Sequence, residues 1–250
     1  MKKVLFLGVL SLLFLINACG PDEPKSTATT LTLNFQGAYN ANNLVYFQYY
    51  DYGNGDSVFI NVAHFYVSDI TLLNGSEETK IKDISVLDFS KNHAIPSDNP
   101  ETIVINDVPA GQYTGIRFGI GVDSILNHTI PADYAAGHPL ANASEYWDWR
   151  ETYIFGKLEG RFKKANGTVI NYAYHPGADD LYRVSTFSKT FTLDGDIAAA
   201  LNFKVDFEQL FNQNNGKIDI EATPVSHTSD TDFWLVTLLM DNLKNAFSIE

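Results

Sequence analysis

The sequence predicts an all-β protein, an antiparallel β-sandwich with long ordered loops and a C-terminal helix. Three observations carry this. From Thr30 onward apolar and polar residues alternate with period two, the pattern of strands that bury one face. About ten such runs are separated by clusters of Gly, Asn, Asp and Pro, without the βα alternation of a parallel sheet. Near the C-terminus the period changes to that of a helix.

In order, "TLTLNFQGAY" opens the series, and "SVFINVAHFYVSDITLL" extends the alternation over a longer run. "ISVLDF" and "ETIVINDV" follow, and Pro109–Ala110–Gly111 turns the chain into "GQYTGIRFGIGV". "TYIFGKLEGRFK", "TVINYAYH", "YRVSTFSKTFTL" and "ALNFKVDF" complete the strands. Asn74–Gly75 and Asn166–Gly167 read as type I′ hairpin turns, in which both central residues take positive φ. "DFEQLFNQ" reads as a short helix. "SDTDFWLVTLLMDNLKNAF" reads as an amphipathic one, with Ser229 and Asp230 as N-caps. Trp234, Leu235, Leu238, Leu239 and Leu243 share its apolar face, which makes Trp234 a core residue.

Between "GIGVD" and "EYWDWRETYIFGKLEG" lies Ser124–Leu140, "SILNHTIPADYAAGHPL". Loops longer than about 12–15 residues are uncommon and are usually functional or disordered. Its aromatic-rich flanks argue for order. Trp147 and Trp149 read as packing residues at alternate positions of one strand.

The N-terminus carries an address. "MKK" precedes the apolar run "VLFLGVLSLLFLI", too short for a comfortable membrane span, and Ala18 stands immediately before Cys19. This resembles a bacterial lipobox. The expected organisation is a signal peptide over 1–18, an acylated Cys19, a flexible tether over 19–29 and one domain over 30–250. Outer-membrane attachment, facing the periplasm or the outside, follows from that reading; Asp22 and Glu23 resemble surface-export signals. Cys19 is the one cysteine, so no disulfide forms within the chain and the core must supply the stability.

The net charge is −13, and loss of Lys2 and Lys3 with the leader takes it to about −15. Such a chain repels nucleic acid, which needs a basic patch. Catalysis is not expected: there is no G-x-S-x-G elbow, and carboxylate pairs such as Asp179–Asp180 and Glu77–Glu78 are ordinary on an acidic surface. Imidazoles remain. His64 lies on a strand in phase with Tyr66 and Ser68, His128 and His138 in the long loop, and His175 where a strand meets Pro176–Gly177. His227 precedes the C-terminal helix, and His93 lies in a polar loop. Imidazole suits copper, zinc, iron and nickel, yet no H-E-x-x-H-type spacing is present.

The segments Gly121–Asp123, Leu126–His128, Pro139–Leu140, Trp147 and Trp149, Tyr153 and Phe155, Glu159–Gly160, and His175 with Gly177 occur in an order that resembles the MbnP-like copper-binding family of secreted bacterial proteins. "FYVSDITLL" resembles that family's early strand. The resemblance implies a β-sandwich holding one copper ion through histidines. His128, His64 and His175 are the ligands it indicates, with copper as the cofactor. It also implies a partner, a di-haem enzyme of the cytochrome c peroxidase type, which in some members oxidises a tryptophan to a kynurenine ligand. This chain departs from the pattern at Thr152, where the family has glycine, and at Tyr66, where no tryptophan stands near His64.

Two functions therefore compete. One is a membrane-anchored extracytoplasmic copper-binding lipoprotein for acquisition, storage or delivery. The other is a non-catalytic cell-surface module that has lost the metal and binds a carbohydrate or a protein partner. "YFQYYDYGNGD", with Tyr49 and Tyr50, offers the second a surface.

Overall fold

The computed structural model describes residues 27–45, 48–90, 100–195, 197–213 and 216–250. The leader, Cys19, most of the tether and His93 lie outside that set.

The first strands are β1 (Ala28–Tyr39), β2 (Asn42–Asn43), β3 (Tyr49–Gly53), β4 (Asp56–Asn74), β5 (Glu77–Asp88), β6 (Glu101–Pro109) and β7 (Gly111–Ile120). The long loop holds α1 (Ser124–Asn127) and short 3-10 turns, then β8 (Tyr146–Trp147) and β9 (Thr152–Tyr153). Next come β10 (Gly156–Lys163), β11 (Val169–Tyr174), β12 (Arg183–Leu193), β13 (Ala199–Asp206) and α2 (Phe207–Phe211). The chain closes with β14 (Asn212–Gln213), β15 (Gly216–Lys217), β16 (Val225–Ser226), α3 (Phe233–Ala246) and β17 (Phe247–Ile249). Strand β1 begins two residues inside the expected tether.

Two sheets face each other. One has the order β17-β13-β1-β2, with β6 also on β1; the other has the order β12-β7-β4-β10-β11-β16, with β3 and β5 on β4. Pairing is mostly antiparallel, but β1 runs parallel to β13 and β11 parallel to β16. Local alternation cannot fix strand direction, because it reports which face is buried and not where the chain comes from. The 19-residue β4 organises the second sheet: its first half pairs with β3 and β10, its second with β5 and β7.

Aromatic rings fill the space between the sheets. Phe35 stacks on Phe203 at 4.8 Å, and Phe118 and Phe247 meet Phe35 edge-on. Such pairs contribute about 0.5–1.5 kcal/mol each beyond the area they bury.

Local expectations needed correction in three places. The Asn-Gly turn with positive φ at both central positions is Asn54–Gly55, at 57° and 82°. At Gly75 and Gly167 the glycine alone is positive, because Asn74 still pairs with Glu77 and Asn166 sits one step earlier in its turn. Helix α3 starts at Phe233, not at Ser229 or Asp230, since Asp232 Oδ1 accepts the Ser226 hydroxyl and the Ser229 amide and holds the preceding turn out of the helix. Its buried stripe is Leu235, Val236, Leu239, Met240 and Leu243, which leaves Trp234 exposed rather than in the core. Among the described residues no helix is long and apolar enough to cross a membrane.

Candidate functional site

The long loop folds over one end of the outer face of the second sheet. Asp123 caps α1, its carboxylate accepting the Ile125 and Leu126 amides. Asn127 is fully buried: its amide donates to Asp179 Oδ1 at 2.7 Å, and its oxygen accepts the Tyr153 amide at 2.9 Å. His138 accepts the Leu140 amide and stacks on Tyr134 at 4.2 Å, and burial lowers its affinity for a proton. Tyr66 reaches the loop through a hydrogen bond to the Pro139 carbonyl. The loop is thus held by polar contacts to its own backbone and to the sheet.

His64 projects from β4 beneath this loop, its Nε2 3.2 Å from Glu145 Oε2. The other oxygen of Glu145 accepts from Lys157 of β10 at 2.9 Å. Burial alone would raise the Glu145 carboxyl; hydrogen bonds from His64 and Lys157 hold it below its ordinary range. His175 follows β11, its Nε2 2.8 Å from Glu159 Oε1. Its ring stacks on His227 with centroids 4.7 Å apart and planes 6° from parallel. Burial pushes the His175 pKa down against the pull of Glu159, and the His227 and Lys157 charges add to the depression. Trp147 continues the series of rings, 6.5 Å from His227 and 5.6 Å from Trp149.

His128 is elsewhere. Its ring is exposed at the end of α1, with Nδ1 2.7 Å from the Ser124 carbonyl and 3.8 Å from Asp179. His64 and His175 lie on strands two apart, with Lys157 of β10 between them. At about 4.8 Å per strand step their backbones are about 10 Å apart. The three rings have separate partners: Nε2 of His64 faces Glu145, Nε2 of His175 faces Glu159, and Nδ1 of His128 faces the Ser124 carbonyl.

His175 and His227 are neighbours, but they do not complete a site either. A nitrogen lone pair lies in its ring plane, and two parallel planes share no position for an ion. Among the described residues no group of three or more His, Cys, Asp and Glu side chains is placed to hold a metal ion. The described residues thus present paired histidine–carboxylate contacts in place of a site with three or more such ligands.

The motif segments instead meet in packing. Gly121 takes φ 106°, and a Cβ there would lie 2.5 Å from the Phe155 ring. A Cβ on Gly177 would meet the Tyr153 carbonyl at 2.6 Å and Trp147 at 2.7 Å. Tyr153 and Phe155 are fully buried. Trp147 is half-buried in this cluster, but β8 ends there and Trp149 turns outward, 67% exposed, so the two tryptophans do not share a strand face. Of the tyrosines expected to form a surface, Tyr49 is 40% exposed; Tyr50 is buried, its hydroxyl on the Val45 backbone.

Sequence reasoning missed Glu145, Lys157, Glu159 and His227 as partners. One signal was present: "GKLEGRFK" places Lys157, Glu159, Arg161 and Lys163 at alternate positions, hence on one face of β10.

A sequence model of the MbnP family matches residues 28–229. Among solved structures, MbnP from Methylosinus trichosporium is similar at 16% identity, with a TM-score of 0.50 over 74% of this chain and 78% of that one. At that identity the likeness is one of fold. No curated protein matches the chain.

Proposed function

The chain belongs to the MbnP family, and from that membership we propose that it is a non-catalytic, membrane-tethered extracytoplasmic binding protein that keeps the family framework without a preorganised copper centre. One observation carries the proposal: each indicated histidine is engaged separately, His64 by Glu145, His175 by Glu159 and His227, His128 by the Ser124 carbonyl. Several of the segments that resemble the family pack tightly, through Asn127, Tyr153, Phe155 and the glycines. The tether rests on the basic start, the apolar run and Ala18–Cys19. An acylated cysteine gains about 0.8 kcal/mol per buried CH₂, and more than one chain gives stable anchoring. With no tryptophan beside His64, the reading assigns no role to a di-haem partner enzyme.

Copper capture keeps one observation on its side: burial favours the neutral imidazole of His175, the form that binds metal, beside a second ring, His227, that would have to turn to share an ion. Copper titration of the purified mature chain tests both readings. We expect no stoichiometric copper after passage over a chelating column, for the wild type and for His175→Ala alike. One copper per chain, lost in His175→Ala or His227→Ala, would overturn the proposal in favour of copper binding. Replacing Cys19 with Ala should move the protein from the membrane to the soluble fraction; an unchanged membrane fraction would remove the tether.

A further inference from the structure

The outer face of β4, β10 and β11 beyond the long loop is open and has an unusual composition. Along β10 it presents Lys157, Glu159, Arg161 and Lys163, which span about 20 Å of strand. An open groove of about 540 Å³ runs over this face, lined by Asn61, Glu159, Arg161, Asn171, Ala173 and Val225. That volume is within the usual range of ligand sites, roughly 300–1,000 Å³.

Apart from Glu159, which holds His175, its polar side chains are largely unspent. The side-chain amides of Asn61 and Asn171 make no hydrogen bond among the described residues, and neither Arg161 nor Lys163 has a carboxylate partner there, in a chain with 30 acidic residues. Arg161 lies over the Phe59 ring at 4.1 Å, and its Nε is buried without an acceptor. Stacking of this kind fixes the guanidinium plane and leaves its outer N–H groups free to meet an anion. Tyr49 extends the face at one end, tilted on Phe59 at 5.1 Å beside Lys163. At the other end Glu159 leads through His175 and His227 to Trp147 and exposed Trp149.

We infer that this face binds a linear acidic oligosaccharide, with its uronate carboxylates over Arg161 and Lys163 and its hydroxyls on Asn61 and Asn171. Amides that both donate and accept suit vicinal hydroxyls. Tyr49 and Trp149 offer ring surface to the C–H faces of sugars at either end. A protein partner would want an apolar centre with a polar rim, and here the arrangement is inverted, polar at the centre and aromatic at the ends. Nucleic acid would need a run of cations along its phosphates, and the described part of this face offers only Arg161 and Lys163 without a carboxylate partner. The inference rests on the binding-protein reading above and names the ligand class for it.

Affinity electrophoresis of the mature chain in gels containing sodium alginate or polygalacturonate, beside gels with neutral laminarin or xyloglucan, tests it. We expect retardation by a uronate polymer, weakened about tenfold in Arg161→Gln and in Trp149→Ala, with the thermal midpoint unchanged. Retardation equal in the variants, retardation by the neutral polymers alone, or none at all would overturn the assignment. The last outcome leaves the binding-protein reading standing with a protein as ligand, whereas stoichiometric copper binding would remove that reading itself.

Discussion

His175 and His227, 52 residues apart in the chain, lie ring on ring at 4.7 Å because β16 joins β11 in parallel and sets one histidine just beyond each strand end. The His175 amide donates to the Ser226 carbonyl, which fixes the pair. Burial and the neighbouring ring disfavour a proton on His175, so the contact bears on acid stability.

The pKa of His175 is depressed in the folded protein by burial and by the His227 charge. The unfolded chain therefore binds more protons just below the ordinary imidazole value of about 6.5, and stability falls as pH is lowered through that range. The decline levels off below the folded-state value. Urea denaturation at pH 7.5 and pH 5.0 should show a loss in wild type that is reduced in His175→Gln; identical losses would refute the assignment.

Asn127 and His128 should separate sharply. Asn127→Ala removes two buried hydrogen bonds and orphans the Tyr153 amide, a cost of about 2–3 kcal/mol. His128→Ala changes an exposed ring and should stay within about 0.5 kcal/mol. Denaturation midpoints at neutral pH decide the order, and a larger loss for His128→Ala would reverse the roles given to the two.

Glu145 and Lys157 form a mostly buried pair, with side chains 10% and 16% exposed. Removing Glu145 leaves Lys157 without its carboxylate, so Glu145→Ala should cost about 3 kcal/mol at neutral pH. Lys157→Met in the same chain should recover at least about 1 kcal/mol of that loss. Strict additivity in this double-mutant cycle would show that the two charges do not depend on each other.

Gly177→Ala places a methyl against the Tyr153 carbonyl and the Trp147 ring. Backbone cannot yield cheaply there, and the overpacking should cost about 1–3 kcal/mol and change the tryptophan fluorescence. Gly167→Ala, at φ 88° with open space around it, should cost about 1 kcal/mol and leave the fluorescence alone. Unaltered fluorescence in Gly177→Ala would mean that Trp147 does not pack where the structure puts it.

Much of the fold was legible because burial leaves a period in the sequence. "TLTLNFQGAY" buries Leu31, Leu33 and Phe35 as its alternation requires, and the order of the long loop follows from its caps and from Asn127. Trp234 and Trp149 were misread because a single ring at an apolar position looks the same whether its face of the element is covered or not. The contacts of the histidines were not legible either. Their order along the chain resembles a ligand set, but nothing in that order states that Lys157 separates His64 from His175 or that the ring of His128 turns to Ser124.

By itself the sequence determined the class of fold, the C-terminal helix, the family and the alternating charges of β10, since each is written in local spacing. The tertiary structure alone decided that β1 meets β13 in parallel, that His227 reaches His175, and that Arg161, beside a groove, has no carboxylate partner among the described residues. Those outcomes depend on which distant strands become neighbours. Strand pairing is a competition among all the faces the chain offers, and its result is not encoded at any one position.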